Sequence, residues 1–267
     1  PEAADVAMKL EGHLRHRAVH AAAMILTERP ISNHVPITKV GNEIVTEWEK
    51  QLCEDMHLIK YDILGLGTLS IISDAVKIAE CVLPNKFDDE RVYKEIFQSG
   101  DTTAIFQFST VGLTKLAETL KVNKFSELSA ATALFRPGAL HSGQTATFSN
   151  RKLGKEEAKP FHPSLQKITE ETLGIICYQE QIMVIMNQIG GLSWATSEMS
   201  RKIMTKSKGK DAMNKIRAEF VQGAQRIHGI EVSEAEKLFD VVSTFGSYSF
   251  NKSHSYGYSI ISYLCAW

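Results

Sequence analysis

Apolar residues recur every three to four positions along most of the chain after residue 68, and this spacing predicts helices over 71–83, 90–97, 111–120, 126–134, 179–189, 193–204, 211–228 and 233–244. Val6, Leu10 and Leu14 repeat the spacing near the start and predict a helix over 1–18. Between them the texture changes. Short apolar runs at 21–26 and 45–50 predict strands, the first closed by a turn-forming segment at 27–36. The run H-L-I-K-Y-D-I-L at 57–64 sets an acidic residue inside an apolar strand bounded by Gly65 and Gly67. Strand alternation puts Lys60 and Asp62 on one face and Tyr61 and Ile63 on the other. The expected fold class is α+β and predominantly helical. Residues 256–267 are strongly apolar and reach the end of the chain without a helix-stop signal, as expected of a piece of something larger.

Composition narrows the function classes. Hydrophobic residues at 43% and charged residues at 23% of 267 are close to globular averages, which fits neither a disordered tail nor a membrane protein. The apolar runs fall far short of the roughly 20 residues that a bilayer span needs. Thirty Lys and Arg against 31 Asp and Glu leave a formal charge of −1, which argues against coating nucleic acid through bulk charge. Residues 199–226 depart from that average. They hold eight basic residues (Arg201, Lys202, Lys206, Lys208, Lys210, Lys215, Arg217 and Arg226) against Asp211 and Glu219, a local +6. Such a stretch is either a solvated helix face or a surface that tracks phosphates, since counterion release rewards clustered cations. Cys53, Cys81, Cys177 and Cys265 lie far apart without a C-x-x-C pair, so reduced thiols are expected rather than a disulfide framework or a zinc site. The N-terminus lacks the order of a signal peptide.

Four segments carry candidate chemistry. Asp62 is a carboxylate in an apolar strand and needs a partner, either Lys60 or a metal. One carboxylate makes a poor metal site, no D-x-D exists, and Asp88–Asp89 reads as a helix cap. A-L-F-R-P-G at 133–138 places Arg136 before a Pro-Gly turn, where its guanidinium either grips a phosphate or closes a helix end on backbone carbonyls. Y-Q-E-Q at 178–181 is a polar first turn of a helix. F-G-S-Y-S-F-N-K-S-H-S at 245–255 gathers Tyr248, Asn251, Lys252 and His254 before an apolar helix that Ser253 or Ser255 caps, a loop suited to stacking a base on Tyr248 and offering Lys252 and His254 to phosphates.

Read in order, L-E-G-x-x-R-x-x-x-x-H-A (10–21), I-K-Y-D-I-L-G-L-x-T-L (59–69), T-x-x-I-F-Q-F (102–108), A-L-F-R-P-G, Y-Q-E-Q, R-K-I-M-x-K-x-K (201–208) and N-K-S-H-S resemble one family from about residue 8 to the end. It is the C-family of bacterial replicative DNA polymerases, the DNA polymerase III alpha subunits. The resemblance implies a small β remnant of a nucleotidyltransferase-like palm over residues 1–68, followed by a helical fingers domain over 69–267, truncated at its C-terminal end. It also implies a DNA-directed DNA polymerase in the bacterial cytoplasm or a phage-infected cell, with two Mg²⁺ ions held by three aspartates. Asp62 matches the third aspartate, catalytic and metal-binding; the first two belong to a P-D-x-D-x-D segment that this sequence does not contain.

By the same resemblance Arg136, Tyr248, Asn251, Lys252 and His254 bind the incoming dNTP, and Arg201, Lys202, Lys206, Lys208 and Lys210 contact DNA or phosphate. The implied partners are primer-template DNA, dNTPs, the remaining polymerase segments (the rest of the palm, the thumb and the PHP domain) in cis or in trans, and a sliding clamp through a C-terminal region outside this sequence. The chain departs from the family where Ser247 and Ser249 replace two loop glycines, and where Val19 and Ala23 stand near His20. The alternative expectation is a helical module, derived from such a polymerase, that binds nucleotide or nucleic acid without catalysis.

Overall fold

The structure, a computed structural model, describes residues 2–13, 18–206 and 210–267. It is predominantly helical, with two small two-stranded sheets, and divides into two compact units, Pro1–Gly67 and Thr68–Trp267.

In the first unit, α1 (Glu2–Leu10) is shorter than the pattern predicts, and Gly12 follows it with φ +82°. Strand β1 (Ala23–Ile25) is followed by the hairpin of β2 (Ile37–Val40) and β3 (Glu43–Thr46), whose two-residue loop begins at Gly41 with φ +62°. Glycine at the first central position lets a tight hairpin follow the strand twist. The strand expected at 45–50 therefore ends early. Residues 47–49 are irregular and helix α2 (Lys50–Asp55) starts at the last of the expected positions, while strand β4 (Lys60–Asp62) pairs antiparallel with β1, placing Ala23 opposite Asp62, Met24 opposite Tyr61 and Ile25 opposite Lys60. The unit's core is small: Val35, Cys53 and Leu58 are buried, with Ile25, Ile31 and Trp48 against them.

The second unit opens with α3 (Gly67–Ala79) and a π-helical segment at Val92–Phe97 within the stretch expected to be an ordinary helix. Asp89 caps that stretch, its Oδ1 accepting the Arg91 N–H at 3.0 Å, as its sequence position suggests. Helices α4 (Val111–Leu120) and α5 (Phe125–Leu134) match the periodic pattern closely. Helices α6 (Pro137–His141), α7 (Gln144–Lys152) and α8 (Gln166–Thr169) do not follow from it: α6 and α8 are very short, and α7, Q-T-A-T-F-S-N-R-K, is polar nearly throughout. Helix α7 is held from outside itself, Thr145 Oγ1 donating to Leu134 O at 2.8 Å and Gln144 Nε2 to Ile176 O at 3.2 Å.

Helices α9 (Gln179–Gln188), α10 (Trp194–Lys206), α11 (Lys210–His228), α12 (Val232–Gly246) and α13 (Lys252–Ala266) complete the unit. Two cores result. One joins α4, α5 and α13 around Phe97, Phe108, Leu128, Tyr178 and Tyr263; the other joins α9 to α12 around Ile182, Ile185, Phe220, Leu238 and Phe239. Among the described residues no helix is long and apolar enough to cross a membrane.

Helix α11 approaches the end of α9 so closely that a Cβ on Gly223 would lie 1.7 Å from the Gly190 carbonyl oxygen. Alanine gains about 1 kcal/mol in helix propensity, but the clash forces two backbones apart at a cost of about 1–3 kcal/mol or more. The Gly223→Ala variant is accordingly expected to be less stable, with a lower denaturation midpoint in urea; an unchanged or higher midpoint contradicts this packing.

Candidate functional site

The 245–255 loop is built around a backbone clasp. Phe250 forms a parallel bridge with Tyr178: its N–H donates to Cys177 O at 2.8 Å, and its carbonyl accepts the Gln179 N–H at 2.9 Å. The Y-Q-E-Q segment, a polar first turn in the sequence reading, holds both strands of this contact. Gln181 Oε1 accepts the N–H groups of Cys177 and Tyr178 at 2.9 Å each, and its Nε2 donates to Thr172 Oγ1 at 2.8 Å. Glu180 Oε2 accepts the Lys252 N–H at 2.8 Å, a carboxylate at the positive end of α13. Tyr178 is fully buried with its hydroxyl 3.0 Å from Ser129 Oγ, and burial pushes its pKa up.

The cap of α13 is Asn251, rather than Ser253 or Ser255. Asn251 Oδ1 accepts the His254 N–H and the Ser253 hydroxyl, both at 2.8 Å, so its side chain serves the helix end. Ser255 is buried instead, and its hydroxyl donates to Ser129 O at 2.7 Å. The two serines that depart from the family cause no backbone strain. Neither lies in the left-handed region, Ser247 being right-handed helical, and their hydroxyls donate to Thr244 O at 2.8 Å and to Gly246 O at 2.7 Å.

The clasp brings the loop against Arg136. That residue precedes Pro137 with φ −138° and ψ 151°, the extended backbone a following proline favours, and it opens α6. Its guanidinium lies 3.6 Å from the centroid of the Phe250 ring, and loss of water lowers its pKa. It closes no helix end on carbonyls and, among the described residues, has no hydrogen-bond or ion-pair partner. Tyr248, half exposed, packs on Gly138, where a Cβ would come within 2.4 Å of its Cδ1. The two motifs are thus one site. Arg136 and His254 line a pocket of about 270 Å³ with Gln107, Thr110, Leu113, Thr132, Phe135, Phe250 and Tyr258, and no carboxylate is among these residues.

The other expected cations whose side chains are described are committed. Lys252 Nζ is 2.5 Å from Glu171 Oε2 and within 5.5 Å of the ring centroids of Tyr178 and Tyr256, while the Tyr256 hydroxyl donates to the other Glu171 oxygen. Arg201 makes two bonds to Glu198, both at 2.7 Å, and donates to Gln179 Oε1 at 3.1 Å. Lys202 is 3.5 Å from the same Glu198, and Arg217 is 3.0 Å from Asp240. Lys206 ends α10 and Lys210 opens α11, with side chains outside the described set; Lys208 lies outside the described residues.

In the first unit Asp62 ends β4. Lys60 Nζ donates to both of its oxygens, at 2.6 and 2.8 Å, as expected of same-face neighbours on a strand, and His20 Nδ1 lies 3.9 Å away. With Lys50, Glu54 and His57 the pair lines a depression of about 440 Å³. Two Mg²⁺ ions, each asking for about six oxygens from more than one carboxylate, do not fit this donor set: Asp62 is already bonded to a cation, and among the described residues no group of three or more His, Cys, Asp or Glu could hold a metal.

The fold and site therefore define a small β unit whose strand β4 ends in the Asp62 carboxylate, and a helical unit carrying a cation-lined pocket. The family described as "Bacterial DNA polymerase III alpha subunit finger domain" matches residues 68–228, and "Bacterial DNA polymerase III alpha NTPase domain" matches residues 1–65. Over 98% of its length the chain is 37% identical to the DNA polymerase III subunit alpha of Aquifex aeolicus (strain VF5) and 36% identical to that of Escherichia coli (strain K12). It spans 23% and 24% of the length of these two relatives. The chain belongs to the bacterial DNA polymerase III alpha subunit family.

The Lys60 hydrogen bonds, followed by the charges of Lys60 and His20, hold the Asp62 carboxyl below its ordinary value of 3.8. A depressed folded-state pKa contributes stability above the ordinary value and loses it as the pH falls through the depressed one. In Lys60→Met the Asp62 midpoint is expected to return toward 3.8, followed by side-chain carboxyl NMR. An unmoved midpoint rules out this pairing in solution.

Proposed function

We propose that the chain supplies part of a DNA-directed DNA polymerase of the bacterial replicative type. Residues 69–267 act as the fingers, holding the incoming dNTP and primer-template DNA, and residues 1–68 form the end of the palm. The observation that supports this most is the pocket of Arg136 and His254, a partly desolvated guanidinium without an anionic partner among the described residues and a lining without a carboxylate. A cation so placed favours a phosphate, which its planar fork binds through two parallel hydrogen bonds. Tyr248, half exposed on α6, offers a ring face to a base.

This reading assigns roles unevenly. Arg136, Tyr248 and His254 face the nucleotide, whereas Asn251 and Lys252 shape the loop that presents them. Arg201 and Lys202 remain at the DNA-facing end of the proposal with Lys206, Lys208 and Lys210, though Glu198 offsets much of the charge of the first two. Nucleotidyl transfer requires further palm aspartates, in cis or in trans. A second reading, a nucleotide-binding module without catalysis, is favoured by the bonding of Asp62 to Lys60.

Two measurements test the proposal. Equilibrium binding of dATP is expected to weaken about 10- to 100-fold in Arg136→Met, as for the loss of a charge-assisted bidentate contact of about 1.5–3 kcal/mol; equal affinity removes Arg136 from the site. Primer extension is expected to be absent for the chain alone, to appear when a polypeptide carrying the missing aspartates is added, and to vanish again in Asp62→Ala. Tight dATP binding with no extension in any combination favours the module instead.

A further inference from the structure

An aromatic ladder runs from the pocket along α13. The Arg136 guanidinium covers Phe250 at 3.6 Å, and the Phe250 ring meets the His254 imidazole edge-on, 5.4 Å between centroids at 89°. His254 lies against Tyr258 at 4.2 Å, and Tyr258 stacks on Phe106 at 5.2 Å. His254 and Tyr258 are one helical turn apart in α13, whose start the Asn251 cap sets, and the bridge to Tyr178 places Phe250 just before that start.

Neither imidazole nitrogen of His254 has a hydrogen-bond partner among the described residues, and the same holds for the Arg136 guanidinium beside it in the same pocket. Both side chains reach solvent and line one cavity free of any facing carboxylate, so an anion entering it displaces only water from two nitrogen groups. The residues around His254 are Gln107 and Thr110 from the segment before α4, Leu113 of α4, Thr132 of α5, Phe135 and Arg136 at the start of α6, and Phe250 and Tyr258. Arg136 and Tyr258 are the titratable groups among them.

We infer that the pocket takes up a polyphosphate together with a proton, His254 becoming an imidazolium as the anion bridges it to Arg136. This rests on reading the pocket as a phosphate site and goes beyond it by assigning the ligand's coupling to pH. With no anion present the imidazolium is opposed twice, by desolvation against the pocket lining and by the neighbouring guanidinium, while the Glu180 carboxylate offsets the positive end of α13. The burial and Arg136 effects hold His254 below its ordinary value. A phosphate between the two groups reverses the largest electrostatic cost, since each cation then faces an anion rather than the other cation. The proton comes from solvent, and His254 returns it when the anion leaves.

The probe is inorganic pyrophosphate with EDTA, added to the full chain while the ring nitrogens of His254 and the Nε–H of Arg136 are followed by NMR across the mildly acidic to neutral range. Saturating pyrophosphate is expected to shift the Arg136 signal and to raise the His254 midpoint by about one unit, the size of a single nearby charge. In Arg136→Met the midpoint of the free protein is expected to rise, and pyrophosphate to add no further increase. Calorimetry in two buffers of different ionisation enthalpy is expected to show proton uptake in the wild type that is reduced in His254→Asn, a variant that keeps the backbone N–H on which the α13 cap depends. If pyrophosphate moves Arg136 and leaves the His254 midpoint in place, the coupling is wrong while the phosphate site stands. If neither signal moves at saturating concentrations, the phosphate site falls and the coupling with it.

Discussion

Two backbone hydrogen bonds, between residues 73 and 71 positions apart, hold the 245–255 loop against the start of α9. Phe250 donates to Cys177 O and accepts from Gln179, and the buried Gln181 amide then satisfies the N–H groups that this arrangement leaves at 177 and 178. A single internal hydrogen bond contributes only about 1 kcal/mol net, but a buried group left without a partner costs about 1–3 kcal/mol. The clasp is therefore held more by what breaking it would strand than by what each bond adds. Everything else in the loop takes its position from it: Phe250 beneath Arg136, Tyr248 on Gly138, the Lys252 N–H on Glu180.

Charge is organised by the same logic. The +6 of residues 199–226 exists in the sequence, yet Arg201, Lys202 and Arg217 face carboxylates contributed by Glu198 and Asp240, outside or on the far side of that stretch. Lys252 is held between Glu171 and two tyrosine rings. A cation paired with a carboxylate at 2.5–2.8 Å must exchange one anion for another to bind phosphate, which returns little energy. Arg136 has no such exchange to make. Of the candidate Lys and Arg residues whose side chains are described, Arg136 is the one without a carboxylate partner.

The long helices were legible because burial on one face imposes a 3.6-residue period, and α4, α5, α9, α11 and α12 fall within two residues of it. Helix α7 was not, because its stability comes from Leu134 and Ile176 across the fold rather than from its own pattern. The hairpin at Gly41 carried a local signal, glycine and asparagine between alternating apolar positions, that would have corrected the strand at 45–50. For the site, residue types pointed to Arg136, Tyr248 and His254, and the pre-proline position fixed the backbone of Arg136. No local feature showed that Phe250 is its stacking partner, or that Y-Q-E-Q is the support of the loop, because both facts depend on which distant segments pair. The pairing of Lys252 with Glu171 was not legible for the same reason.

The two charged positions differ in what each is missing. Asp62 is neutralised within its own strand by Lys60, which reaches both oxygens. A lone carboxylate attracts a divalent ion too weakly to displace an ammonium at 2.6 Å, but each further carboxylate added nearby strengthens the hold on a divalent ion while leaving a single ammonium progressively outnumbered. On the proposed reading the carboxylate position becomes a metal position through groups that other segments bring. The pocket of Arg136 needs no such completion. Its cation, its aromatic support and its imidazole all come from residues 107–258, so the phosphate site proposed above draws on this chain alone. On the proposed reading, binding and chemistry are thus separable, the first resting on Arg136 and His254 and the second on carboxylates besides Asp62.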